Sequence, residues 1–122
     1  MPWEFSNERP IYLQLMELFK LNIVSGVFQP GERLPSVRDL AAEASVNPNT
    51  MQKALSELER EELVFSQRTS GRFITEDKAM IERVRSDLAK TEVSEFIKRM
   101  EKLGFQKTEI CSIMEDILKE GN

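Results

Sequence analysis

Apolar residues near the start of the chain recur at the spacing of one helical face. Pro10 suits the first turn of a helix, where its missing backbone N–H leaves no hydrogen bond unmade. The apolar stripe that follows consists of Ile11, Leu15, Leu18, Phe19 and Ile23. Gly26 ends this predicted helix, and a turn at Pro30 and Gly31 leads into a short extended segment through Leu34.

Two further helices are predicted close together. Ser36 and Asp39 resemble a capping box, with Asp in place of the usual Glu or Gln, and open a short helix that runs through Ala44. After a tight connection, Asn47 as the cap and Pro48 as the first helical residue open a third helix.

The third predicted helix has one apolar and one polar face. The apolar residues, which we assign to the core, are Met51, Ala54, Leu55 and Leu58. The polar residues near its beginning are Asn49, Thr50, Gln52, Lys53 and Ser56. One face is therefore expected to be buried, and the other is free.

A β-hairpin is predicted next. The β-prone segments 63–65 and 72–74 flank a polar segment, 66–71, that ends in a glycine. Helix, helix, short turn, helix and hairpin is the order of elements in a winged helix-turn-helix. The predicted fold class is therefore mainly α with a small β-wing, and residues 1–76 form the predicted DNA-binding domain.

Residues 77–122 are predicted to form a helical tail. One long helix runs to about Leu103, Gly104 and Phe105 interrupt the pattern, and Thr108 caps a final helix. Two amphipathic helices expose more apolar surface than so small a protomer easily covers. We therefore interpret the tail as a two-helix dimerisation arm and a possible effector region. The alternative is that it packs back on the winged helix and leaves a monomer.

The net charge works against a nucleic-acid partner. Lys and Arg total 17 and Asp and Glu total 21, which gives −4. Residues 1–78 hold 9 basic and 12 acidic side chains, a net of −3, and the remainder holds 8 and 9, a net of −1. DNA binding must therefore depend on where the cations lie, because phosphate contacts are local.

Composition and motifs argue against several classes of function. The chain has no histidine, so common zinc sites and His-based acid–base catalysis are not expected. We find no Gly-rich phosphate loop and no nucleophile–base pair, and therefore predict neither an enzyme nor a cofactor or metal. No apolar run approaches the roughly 20 residues that span a bilayer, and we recognise no signal peptide. The single cysteine, Cys111, favours a cytoplasmic protein, and we expect it to be buried and inert rather than a redox sensor.

The candidate DNA contacts form three groups. In a helix-turn-helix the second helix lays its N-terminal end in the major groove, where Asn and Gln can bond to adenine edges. The residues at that end are Asn47, Asn49, Thr50, Gln52 and Lys53. The residues around the preceding helix are Arg33, Ser36 and Arg38. The residues of the wing, from which a basic side chain can reach the minor groove, are Arg68, Gly71 and Arg72.

Each group has a structural alternative. Asn47 is expected to cap the helix in any case, with groove contact secondary. Gln52 and Lys53 are otherwise a solvated face, and Arg38 is otherwise a solvated helix residue. Four acidic residues are interpreted as a solvated face away from DNA, since carboxylates near phosphates repel them, and these are Glu57, Glu59, Glu61 and Glu62.

Two stretches of the chain resemble a known family. They are residues 30–41, PGERLPSVRDLA, and residues 46–59, which open with Val-Asn-Pro-Asn-Thr. Over about residues 8–76 the chain strongly resembles the GntR family of bacterial transcription regulators, and the Val-Asn-Pro-Asn-Thr string and short tail are similar to the YtrA subfamily. The resemblance implies a homodimer that binds a palindromic operator in double-stranded DNA, usually as a repressor. It also implies that the regulated genes often encode ATP-binding-cassette transporters.

The resemblance further implies DNA contacts at Arg38, at the start of the third helix and around Gly71. The chain departs from the family pattern at Glu62, where relatives commonly have a helix-ending glycine, which indicates a strained or different turn. The wing also has one glycine where relatives often have two. The alternative function is a winged-helix protein-interaction module, which the negative charge favours and which predicts no salt-dependent DNA affinity.

Overall fold

The computed structural model describes residues 3–121, which contain five helices and one two-stranded antiparallel sheet. In chain order the elements are α1 (Ile11–Val24), α2 (Val37–Ala44), α3 (Pro48–Arg60), β1 (Val64–Gln67), β2 (Gly71–Ile74), α4 (Lys78–Lys102) and α5 (Lys107–Glu120). This order confirms the predicted winged helix-turn-helix with a helical C-terminal region.

The chain forms two compact units. One runs through Arg85 and the other begins at Ser86. The first unit reaches beyond residue 76 because Met80, Ile81 and Val84, at the start of α4, pack against its core.

The core of the first unit lies between α1, α2, α3 and the sheet. Leu15 and Phe19 of α1 and Leu55 of α3 are completely buried. Every residue of α3 that was assigned to the core is fully buried, so the opposite face of that helix is left to solvent. Each buried Leu, Met or Phe side chain contributes about 1.5–3 kcal/mol to folding. This burial fixes the orientation of α3.

The hairpin packs its first and last positions into the core and pairs with a third extended segment. Val64 lies opposite Ile74, and both side chains are buried. The backbone N–H of Leu34 donates to the carbonyl of Arg72 at 2.8 Å, and the N–H of Ile74 donates to the carbonyl of Glu32 at 2.9 Å. The extended segment predicted through Leu34 therefore lies along β2.

The turns at both ends of α3 hold non-glycine residues in the left-handed region. Ser45, in the turn between α2 and α3, has a φ of 56°, and Glu62 has a φ of 66°. After α3 the backbone N–H of Leu63 donates to the carbonyl of Leu58 at 3.0 Å, which satisfies a carbonyl at the helix end. The strained turn expected at Glu62 is therefore present.

The second unit corrects two expectations. The cap of α5 is Gln106 rather than Thr108, because Gln106 and Glu109 form a reciprocal capping box with each other's backbone N–H groups. Cys111 is exposed, so the expectation of a buried cysteine was wrong. The helix turns the neighbouring Ile110 inward instead, and that side chain is 2% exposed.

No helix in the described part of the chain is long and apolar enough to cross a membrane. Within residues 3–121 no three acidic or sulfur-bearing side chains are grouped so that they could hold a metal ion.

Candidate nucleic-acid interface

The first turn of α3 carries polar side chains on solvent. Asn47 Oδ1 accepts a hydrogen bond from the backbone N–H of Asn49 at 2.7 Å, which confirms the predicted cap. Asn49 is exposed, and its side-chain amide makes no hydrogen bond with the described residues, whereas Thr50 is half-buried. The amide of Asn49 is therefore available to a base edge.

The next turn of α3 is partly held in place by its neighbours. Gln52 Nε2 donates to Ser56 Oγ at 3.1 Å, which leaves the Gln52 carbonyl oxygen available. Lys53 Nζ lies 3.9 Å from the centroid of the Tyr12 ring on α1. At an exposed site such a cation–π contact is worth about 0.5–1 kcal/mol, so it orients Lys53 and still leaves its charge at the surface.

Ser36 and Arg38 lie at the beginning of α2. Ser36 Oγ accepts a hydrogen bond from the backbone N–H of Asp39 at 3.1 Å, so its side chain caps the helix as predicted. Arg38 is exposed, and its guanidinium has no acidic partner among the described residues. An unpaired cation beside a helix N-terminus favours binding of an anion such as a phosphate.

Arg33 lies against the wing. Its backbone pairs with Phe73, and a Cβ placed on Gly71 would lie 3.3 Å from the Arg33 Nε. Gly71 has a φ of +104°, which side chains rarely adopt. The glycine therefore permits both the turn of the hairpin and the close approach of the Arg33 guanidinium.

The two predicted wing arginines differ in their surroundings. Arg68 lies in the turn between β1 and β2, is exposed, and forms no ion pair with the described residues. Arg72 is 19% exposed at its side chain, and its Nε donates to Glu59 Oε1 of α3. The structure therefore places Arg68 at the tip as expected but directs Arg72 toward α3. A DNA contact by Arg72 stays a prediction.

The Glu59 carboxylate is the centre of a small polar network. Ser66 Oγ of β1 donates to Glu59 Oε1 at 2.7 Å, alongside Arg72 Nε. Burial raises the pKa of Glu59, but the hydrogen bonds from Arg72 and Ser66 and the charge of Arg72 outweigh it, so that the pKa is lowered. Glu59 is therefore held as a carboxylate, and it joins both strands of the wing to α3.

The acidic side chains of α3 were interpreted as a solvated face, and for most of them that interpretation was incomplete. Glu57 pairs with Arg60 at 2.5 Å, and Glu61 pairs with Lys20 of α1 at 2.7 Å. With Glu59 also paired, these acids carry their own counterions. Their repulsion of a nearby phosphate is correspondingly reduced.

Two residues of this region, Tyr12 and Ser66, were not singled out from the sequence, and Glu59 was assigned to a solvated face rather than to a contact with the wing. Tyr12 supports Lys53, while Ser66 and Glu59 hold Arg72 and the wing. Sequence spacing gave no signal for these contacts, because each joins different elements across the fold.

Comparison with known proteins agrees with this geometry. The family model for bacterial regulatory proteins of the gntR family matches residues 11–74. The uncharacterized HTH-type transcriptional regulator YhcF of Bacillus subtilis (strain 168) is 36% identical over 107 residues, which are 88% of this chain and 88% of YhcF. The HTH-type transcriptional repressor YtrA of the same organism is 44% identical over 68 residues, which are 56% of this chain and 52% of YtrA.

Solved structures give the same result. A GntR family transcriptional regulator from Listeria monocytogenes superimposes with a TM-score of 0.84 and 39% identity, covering 92% of this chain and 98% of that one. The DNA-binding domain of AraR in complex with operator ORX1 superimposes with a TM-score of 0.54 and 25% identity, covering 62% of this chain and 92% of that one. These relatives are regulators or their DNA-binding domains rather than enzymes. The chain belongs to the GntR family of bacterial regulatory proteins, with YtrA among its relatives, and is a DNA-binding transcription regulator.

Proposed function

We propose that the protein is a transcriptional repressor that binds a palindromic operator as a homodimer. The observation that carries the proposal is α3, a helix with one fully buried face and with a polar, exposed first turn. Burial sets the orientation of the helix, and the exposed turn offers amide and cationic groups to a DNA groove.

Exposed cations near α3 support DNA binding by a chain of negative net charge. Arg33, Arg38 and Arg68 are exposed, and none has an acidic partner among residues 3–121. Three acids at the end of α3 and just after it are paired with cations, namely Glu57 with Arg60, Glu59 with Arg72 and Glu61 with Lys20. Phosphate contacts act over a Debye length of about 8–10 Å at ordinary salt, so the positions of these three arginines affect DNA binding more directly than the total charge of −4 does.

The second unit supports a dimer. No residue of α4 is buried in the single chain, and Ile110 is the buried residue of α5. Large apolar side chains of this unit are exposed, namely Val93, Leu103, Met114, Ile117 and Leu118. A second copy of the same helices would cover such a surface, and two winged heads would then meet two half-sites of a palindrome.

The names of relatives support repression. YtrA of Bacillus subtilis is a repressor, and the AraR DNA-binding domain is solved with operator DNA. By analogy with its subfamily we also propose that the regulated genes encode a transporter of the ATP-binding-cassette type, and that the protein acts in the cytoplasm, where the operator is found.

The test is binding to the DNA upstream of the protein's own gene, measured by mobility shift over a salt series beside a scrambled fragment. We expect selective binding that weakens as salt rises, because bound phosphates release counterions. Arg38→Ala is expected to weaken binding and to lower the salt slope by about 1. Arg60→Ala is the matched control, because it removes one positive charge from the other end of α3.

Two results would contradict the proposal. If Arg38→Ala and Arg60→Ala weaken DNA binding equally, binding depends on the total charge of the protein and not on the position of Arg38. Absence of binding to any genomic fragment at low salt would instead favour the winged-helix protein-interaction module. Repression itself is tested with a reporter gene placed behind the bound fragment. Expression of the reporter should rise when the gene for the protein is deleted.

A further inference from the structure

A contact between Lys53 and Tyr12 joins α3, the helix proposed to enter the groove, to α1. The Lys53 Nζ lies 3.9 Å from the centroid of the Tyr12 ring. Tyr12 is half-buried and packs against the core of the first unit, whereas Lys53 is exposed. The fold therefore holds the ring in place, and the ring in turn orients the exposed lysine.

The charge of Lys53 is held but not neutralised. Lys20 pairs with the carboxylate of Glu61, whereas Lys53 has no acidic partner among residues 3–121 and meets the aromatic ring instead. A ring attracts a cation through its quadrupole and carries no net charge of its own. It covers one side of the ammonium group and leaves N–H donors on the other side. The full positive charge therefore stays available to an external anion.

The position of Lys53 on α3 indicates which part of DNA it meets. Asn49 and Lys53 are four residues apart and share one face of the helix, with Lys53 one turn farther from the N-terminal end. In a helix-turn-helix the N-terminal residues of the recognition helix contact base edges. Lys53 is instead drawn toward α1, and a lysine ammonium binds a phosphate oxygen as a compact point charge.

We propose that Lys53 contacts a backbone phosphate of DNA and that Tyr12 is the positioning residue that holds it for this contact. A lysine side chain loses rotamer freedom when its end is fixed, and the ring removes part of that freedom before DNA arrives. The gain is bounded by the strength of the cation–π contact, which at an exposed site is about two- to fivefold in population. The role of the pair in DNA binding rests on the proposed function, whereas the ring contact does not.

The contact is tested first in the absence of DNA. In the free full-length protein the side-chain protons of Lys53 lie over an aromatic ring, so the ring current is expected to shift their NMR signals upfield. Tyr12→Leu should abolish this shift, and Tyr12→Phe should keep it, because phenylalanine retains the ring and lacks only the hydroxyl. Absence of the upfield shift in the wild type overturns the contact and the positioning role with it.

DNA binding is then measured over a salt series with a short scrambled duplex, which presents phosphates without an operator. Lys53→Ala is expected to weaken binding at least about fivefold and to lower the salt slope by about 1. Tyr12→Leu should weaken it about two- to fivefold, and Tyr12→Phe should restore the affinity of the wild type. Equal weakening by Tyr12→Phe and Tyr12→Leu assigns the effect to the hydroxyl and overturns the role of the ring.

A double-mutant cycle separates positioning from a loss of packing. When Lys53→Ala is already present, Tyr12→Leu should have no further effect on DNA affinity, because Tyr12 acts through Lys53. Leu13→Ala is the matched control, since it removes a half-buried side chain from the same turn of α1. Its effect should be the same with and without Lys53→Ala. Additive effects of Tyr12→Leu and Lys53→Ala, or tighter binding by Tyr12→Leu, overturn the positioning role.

The fragment upstream of the gene distinguishes a phosphate contact from a base contact. Lys53→Ala should weaken binding to this fragment and to the scrambled duplex by the same factor. A loss confined to the upstream fragment assigns Lys53 to a base edge and overturns the phosphate contact. If the wild type binds neither duplex at low salt, the proposed function is wrong and the DNA-binding role of the pair is wrong with it, while the upfield shift still reports on the ring contact alone.

Discussion

Arg72 of β2 and Ser66 of β1 donate hydrogen bonds to the same oxygen of Glu59 on α3, at 2.5 and 2.7 Å. One carboxylate therefore fixes both strands of the wing to the helix whose first turn is proposed to enter the groove. If the wing contacts DNA as proposed, Glu59 positions it for that contact.

Replacing Glu59 is expected to loosen the wing. The side chains of Glu59 and Arg72 are 30% and 19% exposed, so their ion pair lies at the upper end of the range for surface pairs, about 1 kcal/mol. Glu59→Gln should therefore lower the hydrogen-exchange protection of the wing amides by up to about fivefold. Glu57→Gln is the control, because Glu57 pairs with Arg60 of its own helix. Equal loss of protection in both variants would contradict the positioning role.

The same pair predicts a pH dependence. The pKa of Glu59 is lowered in the folded protein, against about 4.3 in an unfolded chain. Its stabilising contribution is therefore complete well above pH 4.3 and is lost as the pH falls through 4.3 toward the folded pKa. In thermal unfolding, the difference in Tm between wild type and Glu59→Gln should shrink on going from pH 6 to pH 3.5. A difference that stays constant over this range would show that the carboxylate charge is not the cause.

Glycine is expected to be more favourable than glutamate at position 62. The left-handed conformation costs a side-chain-bearing residue roughly 1–2 kcal/mol, and the extra freedom of glycine in the unfolded chain offsets about 0.4–1 kcal/mol of that. Glu62→Gly should therefore raise the free energy of unfolding by about 0.5–1 kcal/mol, measured by urea denaturation. Glu62→Ala is the control, because it removes the charge and keeps the strain. A gain of the same size with alanine would place the effect in the side chain instead.

A substitution in α5 tests the proposed homodimer. Ile117 of α5 is 60% exposed, and burying such a side chain contributes about 1.5–3 kcal/mol. Ile117→Gln is expected to shift a dimer toward monomers in sedimentation velocity, whereas the control Glu115→Gln, on the same helix, should not. If the wild-type protein sediments as a monomer at micromolar concentration, the proposal of a homodimer is wrong.

The parts of the fold that depend on neighbouring residues could be predicted from the sequence. Asn47 before Pro48 specifies a helix start through its own backbone, so the beginning of α3 was predicted to the residue. The contact of Arg72 with Glu59 could not be predicted, because it depends on the register of the hairpin against α3. The cap of α5 was misplaced by two residues, since Gln106 is a rarer cap than Thr108 and gains from its reciprocal bond with Glu109.

Two neighbouring asparagines allow the folding and DNA-binding roles of α3 to be separated. Asn47 uses its side-chain oxygen as a cap, while Asn49 has its amide free among the described residues. Asn47→Ala should cost about 1 kcal/mol of stability, and Asn47→Ser, which keeps a capping oxygen, should cost little. Asn49→Ala should leave the Tm nearly unchanged and weaken binding to the selected DNA by about 1–3 kcal/mol, with less loss on scrambled DNA. If Asn49→Ala instead weakens both DNAs equally, Asn49 contacts the phosphate backbone, and the base preference of the protein must come from Gln52 or from DNA shape.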